Sequence, residues 1–161
     1  VTLRQIERVS RHPLARHHDE ARRRIRFSSH RVGEGDMLVI WVGPDLAAQI
    51  GIDCARTAVD LLLDEDFATT RLMGIRANRD GQFRAARRSQ NVGIYLNCDS
   101  FEHYFGRNVW FHDLVDETSV SVENGLLKFA APKARPSNRK VDLKNRAVEV
   151  HGDLSFGGLA E

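Results

Sequence analysis

No run of apolar residues in this sequence approaches the roughly 20 that a helix needs to cross a bilayer, and Val1 to Arg11 alternates apolar side chains with arginine and glutamate. A membrane span or a secretion signal is therefore not expected, and a cytoplasmic protein is. Cysteine is scarce: Cys54 and Cys98 lie far apart without C-x-x-C spacing. That argues against a disulfide framework or a thiolate zinc site and for two reduced core thiols. Glycine-rich phosphate loops of the Walker or Rossmann type are missing, as are internal repeats and low-complexity linkers. What is present, 161 residues of which 42% are hydrophobic and 29% charged, is the profile of one globular domain able to bury its own core.

Net charge is only +2, yet the positive charge is unevenly spread. Arginine crowds the first 31 residues and recurs between Arg71 and Arg88, so residues 1–32 are expected to form a basic helical arm whose densest part is Arg22, Arg23, Arg24 and Arg26. Such an arm attracts nucleic acid or another anionic partner by releasing counterions. Glu7, Asp19 and Glu20 interrupt it, and no aromatic side chains alternate with it to stack bases. A nucleic-acid-binding or virion-type structural protein is accordingly the alternative reading, not the leading one.

The pattern of apolar residues predicts the elements. Pro13 suits the first turn of a polar helix running to about Arg24, and Gly33 to Asp36 reads as a turn. Met37 to Val42 is an apolar run of strand length. After Gly43-Pro44, Asp45 is placed to cap a long helix, because Leu46, Ile50, Cys54, Ala58 and Leu62 recur at i, i+4. From residue 69 the period shortens toward two. Arg71 to Arg76 and Phe83 to Arg87 flank Asp80-Gly81, which predicts a tight hairpin, and Val92, Ile94 and Leu96 alternate as in a strand. Phe101 to Phe105 reads as a short helix or irregular connection and Val109 to Phe111 as a strand. Val120 and Val122, then Asn124-Gly125, then Leu127 and Phe129 predict a hairpin closed by a type I′ turn. Beyond Pro132 and Pro136, Val141 with Leu143 and Val148 with Val150 make short closing strands. The expected class is α+β: a helical N-terminal third, then a β-rich C-terminal half within a single domain at 33–161.

Val115-Asp116-Glu117, then Val122 to Ala134 (VENGLLKFAAPKA), then Arg139-Lys140-Val141-Asp142-Leu143 succeed one another in an order that resembles the end of the α-crystallin domain of small heat shock proteins. Ser100 to Phe105 resembles the Phe-rich stretch that precedes this hairpin in that family, and Arg76 to Arg88 falls where it has a charged loop. The resemblance implies an immunoglobulin-like β-sandwich and an ATP-independent holdase that forms homo-oligomers and binds the exposed apolar surface of unfolding proteins. It needs neither cofactor nor catalytic residue. It also implies a tail motif that docks on a neighbouring copy, carried here by Val141 and Leu143 or by Val148 and Val150. Leu46 to Leu63 reads as helix where that domain is extended.

Other constellations are set aside. His103, His112 and Asp113 are imaginable metal ligands, but Val109 to Phe111 reads as extended and there is no second paired histidine, so no metal site is expected. His17-His18 reads as a solvated helix face. Asp153-Leu154-Ser155-Phe156-Gly157-Gly158, preceded by Arg135 and Arg139, matches the arginine pair and the Asp-x-Ser-x-x-Gly pattern of PilZ domains, which bind a cyclic dinucleotide. Guanidinium forks grip phosphates well. The match is nevertheless read as coincidence, because arginine is abundant and only three residues come after a motif that opens further strands in those domains. The same segment is out of register for a serine nucleophile elbow, and an enzyme is not expected.

Overall fold

Strand-forming alternation takes hold earlier than the basic composition of the first residues suggests. The computed structural model describes residue 4, residues 21–52 and residues 56–137. Within them run strands β1 (Ile25–Val32), β2 (Gly35–Val42), β3 (Arg56–Leu63), β4 (Leu72–Ala77), β5 (Phe83–Arg88), β6 (Asn91–Leu96), β7 (Val109–Trp110), β8 (His112–Leu114), β9 (Ser121–Glu123), β10 (Leu126–Ala130) and β11 (Arg135–Pro136). Three short helices accompany them: α1 (Pro44–Gln49), α2 (Phe67–Thr70) and α3 (Cys98–Phe105). Nine strands form one antiparallel sheet in the order β8-β1-β2-β6-β5-β3-β4-β10-β9, and β11 pairs separately with β7.

The sheet curls on itself. Phe27 of β1 and Phe129 of β10 stand one strand in from opposite ends of the order, yet their ring centroids are 6.0 Å apart. The curl arises from the right-handed twist of strands and from the need to enclose one apolar face. Inward positions of the central strands are aliphatic: Ile25, Ile40, Val42, Val59, Ile75, Val92, Ile94 and Leu127 are buried. Helix α3 closes the core, its N-terminus capped by Asn97, whose side chain accepts from the Ser100 N–H at 2.8 Å. Phe101 and Phe105, four residues apart on one face of α3, then meet Phe27, Phe67 and Phe111 edge-on or tilted at 5.5–6.2 Å.

The two outer strands, β8 and β9, are joined by only the six residues 115–120, and that segment stitches the seam. Val115 N–H donates to the Ile25 carbonyl at 2.8 Å, and Ser119 Oγ accepts from the Ala130 N–H at 3.2 Å. Strand edges, the usual template for pairing with another chain, are thereby kept short.

These facts correct the expected α+β class. Strand, not helix, dominates the N-terminal third where it is described: β1 begins at Ile25, its antiparallel ladder to β2 continues to Val42, and only the short α1 follows. The architecture is one curled sheet with short helices, not the two facing sheets of an immunoglobulin-like sandwich. The long helix expected from Leu46 to Leu63 ends at Gln49. Gly51 takes φ +76, and its N–H donates to the Ala48 carbonyl at 3.2 Å while Ile52 N–H donates to Ala47 at 3.0 Å, a Schellman stop. The second half of the expected helix is instead β3, where Val59, Leu61 and Leu63 alternate inward between β4 and β5.

Because β3 lies between β4 and β5, Asp80-Gly81 is not the expected hairpin turn. The chain crosses the end of β3 there, and a Cβ on Gly81 would sit 2.4 Å from the Val59 carbonyl oxygen. The Asn124-Gly125 turn is built as expected: Asn124 at φ +51 and Gly125 at φ +75 join β9 to β10. Strands at Met37 to Val42 and Val92 to Leu96, and a short helix over Phe101 to Phe105, also stand where expected. Among the described residues no helix is long and apolar enough to cross a membrane.

Candidate basic cleft on the outer sheet face

A two-residue period that sends Ile25, Phe27, Ile40, Val42, Val92 and Ile94 inward sends their neighbours outward. On β1 these are Arg26, Ser28 and His30; on β2 Met37, Val39 and Trp41; on β6 Asn91, Gly93 and Tyr95; on β5 Arg84, Ala86 and Arg88. Cross-strand register aligns them in rows. Arg26 stands opposite Trp41 on one side and Leu114 on the other, Trp41 stands opposite Gly93, and Tyr95 opposite Arg84. No carboxylate occupies these outward positions of β1, β2, β5 and β6.

A cleft of about 800 Å³ opens on this face, walled by Arg24, Arg26, Arg88, Trp41, His112 and Asp113. Its size lies within the range of small-molecule sites. The Trp41 indole lies across Gly93, where an added Cβ would come within 2.9 Å of the ring, so the glycine lets the indole lie against the backbone. Tyr95 meets it edge-on at 6.4 Å and accepts from Arg88 Nε at 3.4 Å. Arg26 Nη2 approaches the His112 ring nitrogens at 3.0 and 3.2 Å. Neither Arg26 nor Arg88 is ion-paired with a described carboxylate. Converging guanidinium groups without carboxylate partners raise the local concentration of anions.

Asp113, on the cleft wall, holds an arginine from the far end of the described chain. Arg135 of β11 donates Nε to Asp113 Oδ2 at 3.0 Å and Nη2 to Oδ1 at 2.5 Å. That fork uses one edge of the guanidinium and leaves Nη1 to donate elsewhere. The β11–β7 pairing and the bond from Ser137 N–H to the Asn108 carbonyl at 2.7 Å fix the backbone that carries it.

The expected arm residues are docked rather than loose. Arg22 pairs with Asp45 at 2.8 Å, with Arg23 at 3.9 Å from the same carboxylate, and Arg24 pairs with Glu117 at 3.2 Å. Arg24 and Arg26 reach the cleft; Asn124 and Gly125 belong to the β9–β10 turn and do not line it. Val141, Leu143, Val148 and Val150, together with Arg139 and Asp153 to Gly158, lie outside the described residues, as does Cys54. The imagined ligand trio is not brought together: His103 packs on Tyr104, whereas His112 faces Arg26 and Asp113 binds Arg135.

Sequence reasoning missed Trp41, Tyr95 and Arg88: no aromatic side chains alternate with the arginines along the chain, but the strand register sets Trp41 directly across from Arg26. The available signal was the odd positions of Asn91-Val92-Gly93-Ile94-Tyr95, polar or small between apolar ones. Comparison with family models, curated proteins and solved structures finds no match to this chain.

Proposed function

We propose that this chain is a regulatory binding module for a phosphodiester-linked nucleotide, a cyclic dinucleotide. Support comes from two features that share a link at Arg135. One is the pattern Arg135-x-x-x-Arg139 with Asp153-x-Ser155-x-x-Gly158 after it, which resembles that of PilZ domains. The other is the basic cleft, whose wall residue Asp113 holds Arg135. The single observation that carries the reading is this fork. It ties the first arginine of the pattern to Asp113, a residue that also lines the cleft of Arg24, Arg26 and Arg88. The number of residues after Gly158 carries no weight against it. The reading needs no catalytic group, and it fits a cytoplasmic protein.

Equilibrium dialysis of the full chain against guanine and adenine cyclic dinucleotides tests it. Saturable binding is expected, and Arg135→Ala and Arg139→Ala should each weaken it about tenfold, since a charge-assisted hydrogen bond contributes about 1.5–3 kcal/mol. No binding, or binding indifferent to both substitutions, overturns the reading. A single-stranded nucleic acid is the competing occupant of the same face. It would reveal itself by preferential binding of oligonucleotides, with log K falling linearly against log salt.

The holdase reading has one observation in its favour, the Asn124-Gly125 bend built with both residues at positive φ within the ordered match from Phe101 to Leu143. It predicts homo-oligomers and suppression of a client protein's thermal aggregation without ATP. Absence of protection at equimolar ratio counts against it.

A further inference from the structure

A cyclic dinucleotide carries two bases and two phosphodiesters, and a pair of arginines on one segment addresses only part of it. Resting on the function proposed above, we infer that the outer face of β1, β2, β6 and β5 is the second wall of the ligand site, with Trp41 stacking a base and Arg26 and Arg88 pairing with phosphodiester oxygen.

The geometry is suited to this. Trp41 is half-buried, one side of its indole lying on the Gly93 backbone, and the ring lines the cleft. A flat ring immobilised on a sheet is a stacking platform that any base fits. Arg26 and Arg88 belong to strands on either side of Trp41: β1 pairs directly with β2, and β5 reaches it through β6. Their present partners are the His112 ring and the Tyr95 hydroxyl, neither of them a carboxylate, and a phosphate anion replaces such contacts with stronger charge-assisted ones. Asp113, which also lines the cleft, occupies the Nε edge of Arg135 and leaves Nη1 to donate elsewhere.

The sequence holds two tryptophans, so Trp110→Phe leaves Trp41 as the only indole emitter. Titration of this variant with the guanine cyclic dinucleotide, beside dialysis of the same samples, is expected to quench emission saturably with the midpoint that dialysis gives. Arg26→Ala and Arg88→Ala should each weaken binding about tenfold and leave the far-UV circular dichroism unchanged. Should Trp110→Phe misfold, the difference in quenching between the native chain and Trp41→Phe reads the same contact. Binding in dialysis with silent Trp41 and unchanged affinity in Arg26→Ala and Arg88→Ala overturns the second wall and leaves the proposed function standing. Loss in those two variants with none in Arg135→Ala and Arg139→Ala supports the wall and overturns the motif reading. No binding by the native chain overturns both.

Discussion

The two faces of β1, β2 and β6 differ in what their residues are made to do. Inward, Phe27, Ile40 and Ile94 are fully buried, and each side chain is held by the volume around it. Outward, one residue along, Arg26, Trp41, Gly93 and Tyr95 form a surface in which charge and ring orientation matter more than volume. A strand of period two thus carries two independent specifications. Changes on the inner face should appear as stability, and changes on the outer face as binding.

The strongest test of that separation is Phe27→Ala. Phe27 meets Phe105, Phe111 and Phe129 at 5.3–6.2 Å, so its truncation opens a cavity at the point where the sheet closes. A loss of about 3–5 kcal/mol in urea-unfolding free energy is expected. A loss below about 1 kcal/mol would mean that the curl does not depend on the aromatic cluster.

Gly93→Ala probes the outer face without touching the aromatic cluster of the core. Its Cβ would meet the Trp41 ring at 2.9 Å and Val39 Cγ1 at 3.2 Å, so the indole must shift. A cost of about 1 kcal/mol, the low end for overpacking, is expected together with a changed near-ultraviolet dichroism of tryptophan. Unchanged tryptophan signals would show that the indole is not seated on this glycine.

The smallest effect concerns pH. Asp60, outward on β3, accepts from Arg76 Nη2 and Asn78 Nδ2, each at 2.9 Å, and the Arg76 bond first and the Asn78 bond second hold its carboxyl below the ordinary aspartate value. A lowered folded value means that the contribution is complete above the ordinary value. It is lost as pH falls through the lowered one, that is, below about pH 4. The stability difference between native chain and Asp60→Asn should therefore shrink as pH drops from 6 to 2, as read from thermal midpoints. A difference that stays constant removes the carboxylate from the explanation.

Local chemistry was legible where it acts over a few residues. Asn124-Gly125 specified its turn because both positions tolerate positive φ, and Val92, Ile94 and Leu96 specified a strand by alternation alone. The helix stop at Gly51 was legible too, as a glycine after an apolar run, but the i, i+4 recurrence through Ala58 and Leu62 concealed it. Val59, Leu61 and Leu63 satisfy a period of two equally well. Pairing with β4 and β5 on both sides decides between the two, and that pairing is remote in sequence.

The chain order alone thus determined the Asn124-Gly125 turn and individual strands such as β2 and β6, since turn chemistry and alternation are properties of neighbouring residues. Which strand lies beside which was decided only by closure of the apolar face in three dimensions. That closure inserted β3 between β4 and β5, so that Asp80-Gly81 became a crossing. The cleft is of the same kind: Arg26, Trp41, Arg88 and Asp113 come from four strands. Charges so far apart along the chain become one site only when the hydrophobic effect has fixed the backbone that carries them.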